Sequence, residues 1–368
     1  MLRFCSTGRW PGLAAGAMIL SLAAPMALAA AQRSLVASTG LDSNPCSLTQ
    51  PCRSFAVAIA QTLAGGEVAI LDSAGYGPLS INKSVSIIAP PGVYAGISVT
   101  SGTGVTITGT ALTVLLRGLS VTGVGGSTGI YVGATDSEVH IDDVTVSGMN
   151  GTGINVSAGA GTRVYVARGA VRSNALQGVY ISGGSRVLMD RARIEENDNG
   201  GIFLYDAGEA WVRDSVVHGN STGINAIIFS GPGPQRLVVE RTTISGSTFG
   251  GINVQIQSAT GQIEAVVRDA TIIGNAGAGY SGINFQCFST GAGVLTMTGT
   301  VISDHNTANA SGLQVAGSGC KAAVGGNTFT RNVTGLSVDP GTTTTFGNNQ
   351  FDRNGTDVFG MPTLKVPR

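Results

Sequence analysis

Gly153-Ile154-Asn155-Val156, Gly178-Val179-Tyr180-Ile181 and Gly201-Ile202-Phe203-Leu204 are three copies of one pattern: a glycine, then an apolar-x-apolar strand core. The pattern occurs nine times, at Gly129, Gly153, Gly178, Gly201, Gly223, Gly251, Gly282, Gly312 and Gly335. The spacings are 24, 25, 23, 22, 28, 31, 30 and 23 residues. Each unit holds a few short period-2 strands and no helical periodicity. Such a unit cannot bury its apolar face alone, so the units must stack as a solenoid.

Two further apolar rows follow from aligning the units. One is Ile141, Val166, Met189, Val212, Val239, Val267, Met297, Val324 and Phe346; the other is Val171, Ile194, Val217, Ile244, Ile272, Phe329 and Phe351. Three residues after each member of the latter comes Asn174, Asn197, Asn220, Ser247, Asn275, Asn332 or Asn354. Asn tolerates the left-handed conformation of a tight corner, and stacked amides hydrogen-bond along an axis, so these are expected as corner pieces. Earlier strands are expected near Val68–Leu71, Val85–Ile88, Ile97–Val99, Val105–Ile107 and Val114–Val121. Arg53 to Leu63 places Phe55, Ala56, Ile59, Ala60 and Leu63 at helical spacing, which predicts an amphipathic helix capping the open end of the stack.

The pattern resembles the right-handed parallel β-helix (pectin lyase-like) superfamily over roughly residues 65–355. The stretch from Gly40-Leu41-Asp42 through Cys46, Pro51-Cys52-Arg53 and Leu71-Asp72 to Gly75-Tyr76-Gly77 resembles the N-terminal cap of exported bacterial β-helix repeat proteins. The resemblance implies about ten coils and a rod of roughly 50 Å. The expected organisation is a signal peptide at 1–29, a cap at 30–66, the β-helix at 67–354 and a tail at 355–368.

Arg3 and Arg9, the apolar run to Leu28 and Ala27-Leu28-Ala29 read as a secretory signal with its cleavage site. Cys5 precedes that run, unlike a lipoprotein cysteine. Export to the periplasm, the cell surface or the medium is expected, with no membrane span after cleavage. No terminal membrane-barrel segments are present, so a self-exporting passenger is not expected. Loss of Arg3 and Arg9 leaves 19 basic against 21 acidic residues, a net of −2, which gives no electrostatic reason to expect nucleic acid. The remaining cysteines, Cys46, Cys52, Cys287 and Cys320, suggest the disulfides Cys46–Cys52 and Cys287–Cys320. A metal site is the weaker reading, since no His lies near either pair and the spacing is not C-x-x-C.

The outward position of the first strand reads Tyr131, Asn155, Tyr180, Phe203, Asn225, Asn253, Asn284, Gln314 and Ser337, with Tyr205 two residues beyond Phe203. The resemblance implies a substrate cleft along this sheet. Aromatic faces stack on pyranose rings and amides bond hydroxyls without desolvating a charge. Tyr131, Asn155, Tyr180, Phe203, Tyr205, Asn225, Asn253 and Asn284 are therefore the expected carbohydrate contacts. A strand face filled with good β-formers is the competing reading.

Glycoside hydrolysis needs two carboxylates about 5–10 Å apart. This face carries none, and Asp206 and Glu209, just past the strand, are the nearest candidates. Polygalacturonases carry Asn-Thr-Asp, Asp-Asp, Gly-His-Gly and Arg-Ile-Lys in successive coils; here Asp142-Asp143 and His218-Gly219-Asn220 stand elsewhere in the unit. The acid cluster by which pectate lyases hold Ca²⁺ does not appear. The Gly-rich run 277–282 precedes a strand, not a helix, and His140, His218 and His305 fall in different coils. No cofactor and no metal are called for.

On the second strand, two outward rows mostly alternate in charge: Glu138, Arg163, Arg186, Glu209, Arg236, Glu264, and Asp142, Ala167, Asp190, Arg213, Glu240, Arg268. Cross-strand pairing accounts for them. Between them runs an apolar stripe, Tyr165, Leu188, Trp211, Val238 and Val266, which reads as a protein-partner surface or the floor under a loop. The sequence thus predicts a non-catalytic binding module for an extended glycan or a protein partner. The alternatives are a polysaccharide lyase or glycoside hydrolase, and a purely structural or adhesive rod.

Overall fold

The computed structural model describes residues 31–365 except 232, 276, 278 and 289. The expected signal, residues 1–29, lies outside the described residues. From residue 31 the chain winds as a parallel β-helix. Each regular coil gives one strand to each of three sheets, as in Gln177–Ser182, Arg186–Asp190 and Arg193–Glu195. We call these the glycine sheet, the long sheet and the short sheet. Among the described residues they hold 12, 14 and 12 strands.

The register matches the sequence alignment almost throughout. Ile130, Ile154, Val179, Ile202, Ile224, Ile252, Ile283, Leu313 and Leu336 are consecutive partners in the glycine sheet. Ile141 to Val324 stack in the long sheet, and Val171 to Phe351 in the short sheet. All three rows point into one buried core. Period-2 alternation leaves no choice here, because a one-residue slip would turn every apolar side chain to water.

The repeated glycine has a packing reason. A Cβ at Gly178 would lie 2.7 Å from the Asn197 amide nitrogen and 2.8 Å from the Gly201 carbonyl. The bare backbone lets the corner amides fit beneath the strand that follows them.

Several expectations are corrected. The corner Asn residues are not themselves left-handed. Positive φ falls on the residue before each: Ser173, Glu196, Gly219, Gly246, Gly274, Arg331 and Arg353. The Asn side chain instead turns inward. Thr345, not Phe346, partners Val324, and Ile302 fills the place left open between Ile272 and Phe329. The expected strand Val114–Val121 is two strands, Thr113–Arg117 and Leu119–Gly123, parted by Gly118 at φ +72°.

Helix α1 spans Phe55–Gln61, shorter than expected, with Ser54 as N-cap accepting from the Val57 amide. It buries Phe55, Ala58 and Ile59; Ala56, Ala60 and Leu63 are exposed, because Thr62 turns the chain directly into a strand. Ala31–Val36 already belongs to the long sheet, paired with Thr62–Ile70. At the other end Thr356–Phe359 and Thr363–Leu364 extend two sheets past residue 354. No helix among the described residues is long and apolar enough to cross a membrane.

Both disulfides are present. Cys46–Cys52 closes a short loop, and Cys287–Cys320 ties the end of one strand to a strand of the next coil, Cα to Cα 5.5 Å.

Candidate functional site

The glycine sheet brings the expected carbohydrate contacts into one outward row. Tyr131, Asn155, Tyr180, Phe203, Asn225, Asn253 and Asn284 are successive partners. Their chemistry is largely turned on itself. The rings of Tyr180, Phe203 and Tyr205 stack near-parallel, with centroids 5.8, 6.1 and 6.4 Å apart. Burial raises the Tyr180 phenol above its ordinary value, against the hydrogen bond it shares with Ser182. The Asn253 amide donates to Asn225 at 2.9 Å and that of Asn284 to Asn253 at 2.8 Å; Asn155 accepts from Ser157 at 2.7 Å. Asn225 is buried, 7% exposed, although its position faces outward. Tyr131 leans over Gly133, where a Cβ would meet its ring at 2.7 Å. The three rings form an offset cluster of intermediate exposure, held by ring-to-ring contact.

The two candidate carboxylates are each engaged by a different partner. Asp206 sits at a corner with φ +57° and accepts from the amides of Phe229 and Ser230 at 2.7 and 3.1 Å. Burial would raise its carboxyl, but the amides of Ser230, Phe229 and Gly231 and the Ser230 hydroxyl hold it below the ordinary value. It is a loop anchor. Glu209 belongs to the long sheet, where Arg186 reaches it at 3.3 Å from the neighbouring strand.

Two adjoining hollows lie on the long sheet. The apolar stripe there is longer than expected: Leu115 and His140 precede Tyr165, Leu188, Trp211, Val238 and Val266 in register. The same period-2 alignment, carried two units back, would have found them. His140 stacks on Tyr165 at 4.7 Å and its Nε2 meets Glu138 at 2.8 Å. Arg236 lies over the Trp211 ring, 5.2 Å from its centroid. Val238 is corrected: it is only 3% exposed, in register between Val266 and the much larger Trp211.

A cavity of about 320 Å³ is floored by Tyr165, Leu188 and Trp211 and rimmed by Arg163, Arg186, Glu209 and Arg213. A second, of about 490 Å³, adjoins it through Glu209 and runs over Gln235, Arg236, Ile263 and Glu264 to Val294. Sequence reasoning missed both, since a hollow depends on how side chains lean.

The acidic groups around these hollows are engaged. Asp190 binds Arg191 and Arg213, both at 2.9 Å. Glu264 meets Arg236 at 3.4 Å, and Glu240 meets Arg241 and Arg268 at 2.6 and 3.3 Å. Asp142 is held between Arg117 and Arg168. Within the rows Arg186–Glu209, Asp190–Arg213, Arg236–Glu264 and Glu240–Arg268 pair across neighbouring strands. Among the described residues no three His, Cys, Asp or Glu side chains converge to hold a metal ion.

Residues 92–260 match the family model described as "Right handed beta helix region". No curated protein matches the sequence. Three solved structures share the architecture. The A-module of the Azotobacter vinelandii mannuronan C-5 epimerase AlgE4 is 13% identical at a TM-score of 0.59, over 83% of this chain and 91% of that one. Pectate lyase Pel9A is 16% identical at a TM-score of 0.51, over 86% and 78%. The GH136 lacto-N-biosidase from Eubacterium ramulus is 11% identical at a TM-score of 0.56, over 91% and 68%. Identities this low establish the fold alone, and that fold is shared by lyases, epimerases and hydrolases of carbohydrates. The chain has the right-handed parallel β-helix fold.

Proposed function

We propose that the protein is an exported binding module, without catalysis, that holds an extended glycan along its long sheet. One observation carries this reading: the two adjoining hollows share Glu209 and run along the coil axis over an aromatic and apolar floor. They cross six neighbouring strands, Arg163–Ala167 to Ala292–Thr298. At inter-strand spacing that is a track of roughly 25 Å, the span of several linked sugars. Tyr165 and Trp211 offer apolar ring surface, and the arginines and glutamates at the rim offer donors and acceptors for hydroxyls. Carbohydrate substrates in the names of the structural neighbours support the class of ligand.

The ion pairing of Glu209, Glu264 and Asp190 argues against turnover. A general acid or base must be free to exchange its proton with the substrate. Export is supported by the two disulfides, which persist in oxidising compartments.

A screen of the mature protein against neutral and acidic polysaccharides, scoring binding and product release separately, tests this. Binding without product is expected. Product release lost in Glu209→Gln would overturn the non-catalytic reading, and capture of a protein but of no polysaccharide would move the stripe to partner binding.

A further inference from the structure

From the strand Ala170–Arg172 onward, the slot after the short-sheet strand holds a buried polar side chain in successive coils: Asn174, Asn197, Asn220, Ser247, Asn275, His305 and Asn332, followed by part-buried Asn354. The amides form a directed chain. Asn174 donates to Asn197 at 2.8 Å and Asn197 to Asn220 at 2.9 Å, each from Nδ2 to the next Oδ1. Further along, Asn332 donates from Nδ2 to Asn354 Oδ1 at 3.1 Å. Within each segment a member accepts on one side and donates on the other; the Asn220 Nδ2 turns instead to the Ile194 and His218 carbonyls at 2.9 and 3.2 Å.

His305 sits inside this chain, 0% exposed, where its neighbours are amides. Its Nε2 lies 3.2 Å from Asn275 Nδ2, and its Nδ1 lies 3.0 Å from Asn332 Oδ1. The surroundings fix the proton. Asn332 Nδ2 is committed to the Ile302 carbonyl and to Asn354, both at 3.1 Å, so Asn332 must present oxygen to the ring. Asn275 Oδ1 accepts from the Ser247 amide at 3.0 Å, so Asn275 must present its N–H to the ring. Only a neutral imidazole protonated at Nδ1 satisfies both. It then mimics an amide, accepting at Nε2 and donating at Nδ1.

We propose that His305 is a pH-sensitive joint of the solenoid: protonation at Nε2 sets two donors against each other at Asn275, breaks the chain there and loosens the coils on either side. Rotating the Asn275 amide does not relieve the conflict, since its NH₂ would then face the Ser247 N–H. Asp304 is the one nearby acid that favours the charged ring, and its pull is weaker than the effect of burial. Asp304 precedes His305, but Arg331 of the next coil already holds its carboxylate at 2.6 and 2.7 Å. Segments 271–275 and 281–285 carry no charged side chain, and 328–332 carries only Arg331. Gly282 leaves the ring no room to swing: a Cβ there would lie 2.8 Å from its Cε1.

Burial lowers the tendency of His305 to take a proton, against the pull of Asn332 and Asp304. The unfolded chain therefore binds the proton more readily. The sign follows: the joint is fully stable above about pH 6.5 and loses stability as the pH falls below that value.

The test compares thermal unfolding of the mature protein and its His305→Asn variant from pH 8 to 5. The wild type should lose a few degrees of Tm below about pH 6.5, and the variant, whose amide accepts and donates at any of these pH values, should lose much less. His140 and His218 are unchanged in both proteins, so the difference isolates position 305. Equal pH slopes would overturn the proposal. Should the variant not fold, ¹⁵N spectra of the wild-type rings decide. An Nδ1–H tautomer at pH 8, titrating together with loss of amide protection at Ser247 and His305, supports it. An Nε2–H tautomer, or a ring charged at pH 8, sinks it.

Discussion

Asp206 accepts the backbone amide of Phe229 at 2.7 Å, so a carboxylate at one corner fixes the loop of the next coil. That contact explains why a residue next to the aromatic row is not a free acid. Asp206→Asn should loosen residues 229–231 and cost about 1 kcal/mol, the worth of charge-assisted bonds weakened at a partly exposed site. The depressed carboxyl gives the pH sign. Its contribution is complete above the unfolded value near 3.8 and is lost as the pH falls through the lower folded value. Hydrogen exchange of the 229–231 amides should therefore stay protected at pH 5 in the wild type and rise in the variant.

Ser247 leaves a gap in the corner ladder. Its hydroxyl is buried and has no partner, and Asn220 and Asn275 stand on either side without meeting. Ser247→Asn should join the two ladder segments, because the slot already accepts Asn in the neighbouring coils. The gain should be about 1 kcal/mol from the added hydrogen bonds and the removed orphan group. A raised urea midpoint at unchanged m-value would show it. A lowered midpoint would mean that the slot at this coil is too small.

Trp211 separates the two sheets as binding faces. It is half-buried and Arg236 covers part of its ring, so Trp211→Ala should cost roughly 1–2 kcal/mol of stability, less than a core Trp. Glycan affinity should fall at least tenfold, about 1.4 kcal/mol. The double variant Phe203→Ala with Tyr205→Ala should bind nearly as the wild type does. Titration calorimetry of both against the same polysaccharide compares the faces directly, and the reverse ranking would return the site to the glycine sheet.

Cys287–Cys320 closes a separation of 33 residues across two coils. Replacing both by Ser should cost roughly 3–4 kcal/mol in the chain-entropy model. The loss should be local, since coils contact only their neighbours. Faster hydrogen exchange across residues 290–320, with the coils before Asn253 unaffected, is the expected signature. Thiol titration of unreduced exported protein should find no free Cys among these four.

Register was legible from the amino acids because a strand has only two faces. Once Ile154 and Val156 point inward, Asn155 must point outward, and the alignment of nine glycines did the rest. The corner Asn residues were legible as a stack for the same reason. Their backbone conformation was not, because whether Asn174 or Ser173 turns left-handed depends on where the coil bends. His305 escaped notice as a ladder member because imidazole and amide look alike only through their hydrogen bonds, and those appear when Asn275 and Asn332 stand on either side.

The sequence by itself determined a stacked solenoid, its inward rows and most of its charge pairing. These follow from short-range periodicity, which each residue carries locally. Only the tertiary structure decided which outward face is hollow. Tyr180, Phe203 and Tyr205 lean on one another, Val238 sinks between its neighbours, and Trp211 and Leu188 stay open beside Glu209. Outward direction is a property of the strand, but exposure is a property of side chains packed against those of other coils, and no single coil contains that information.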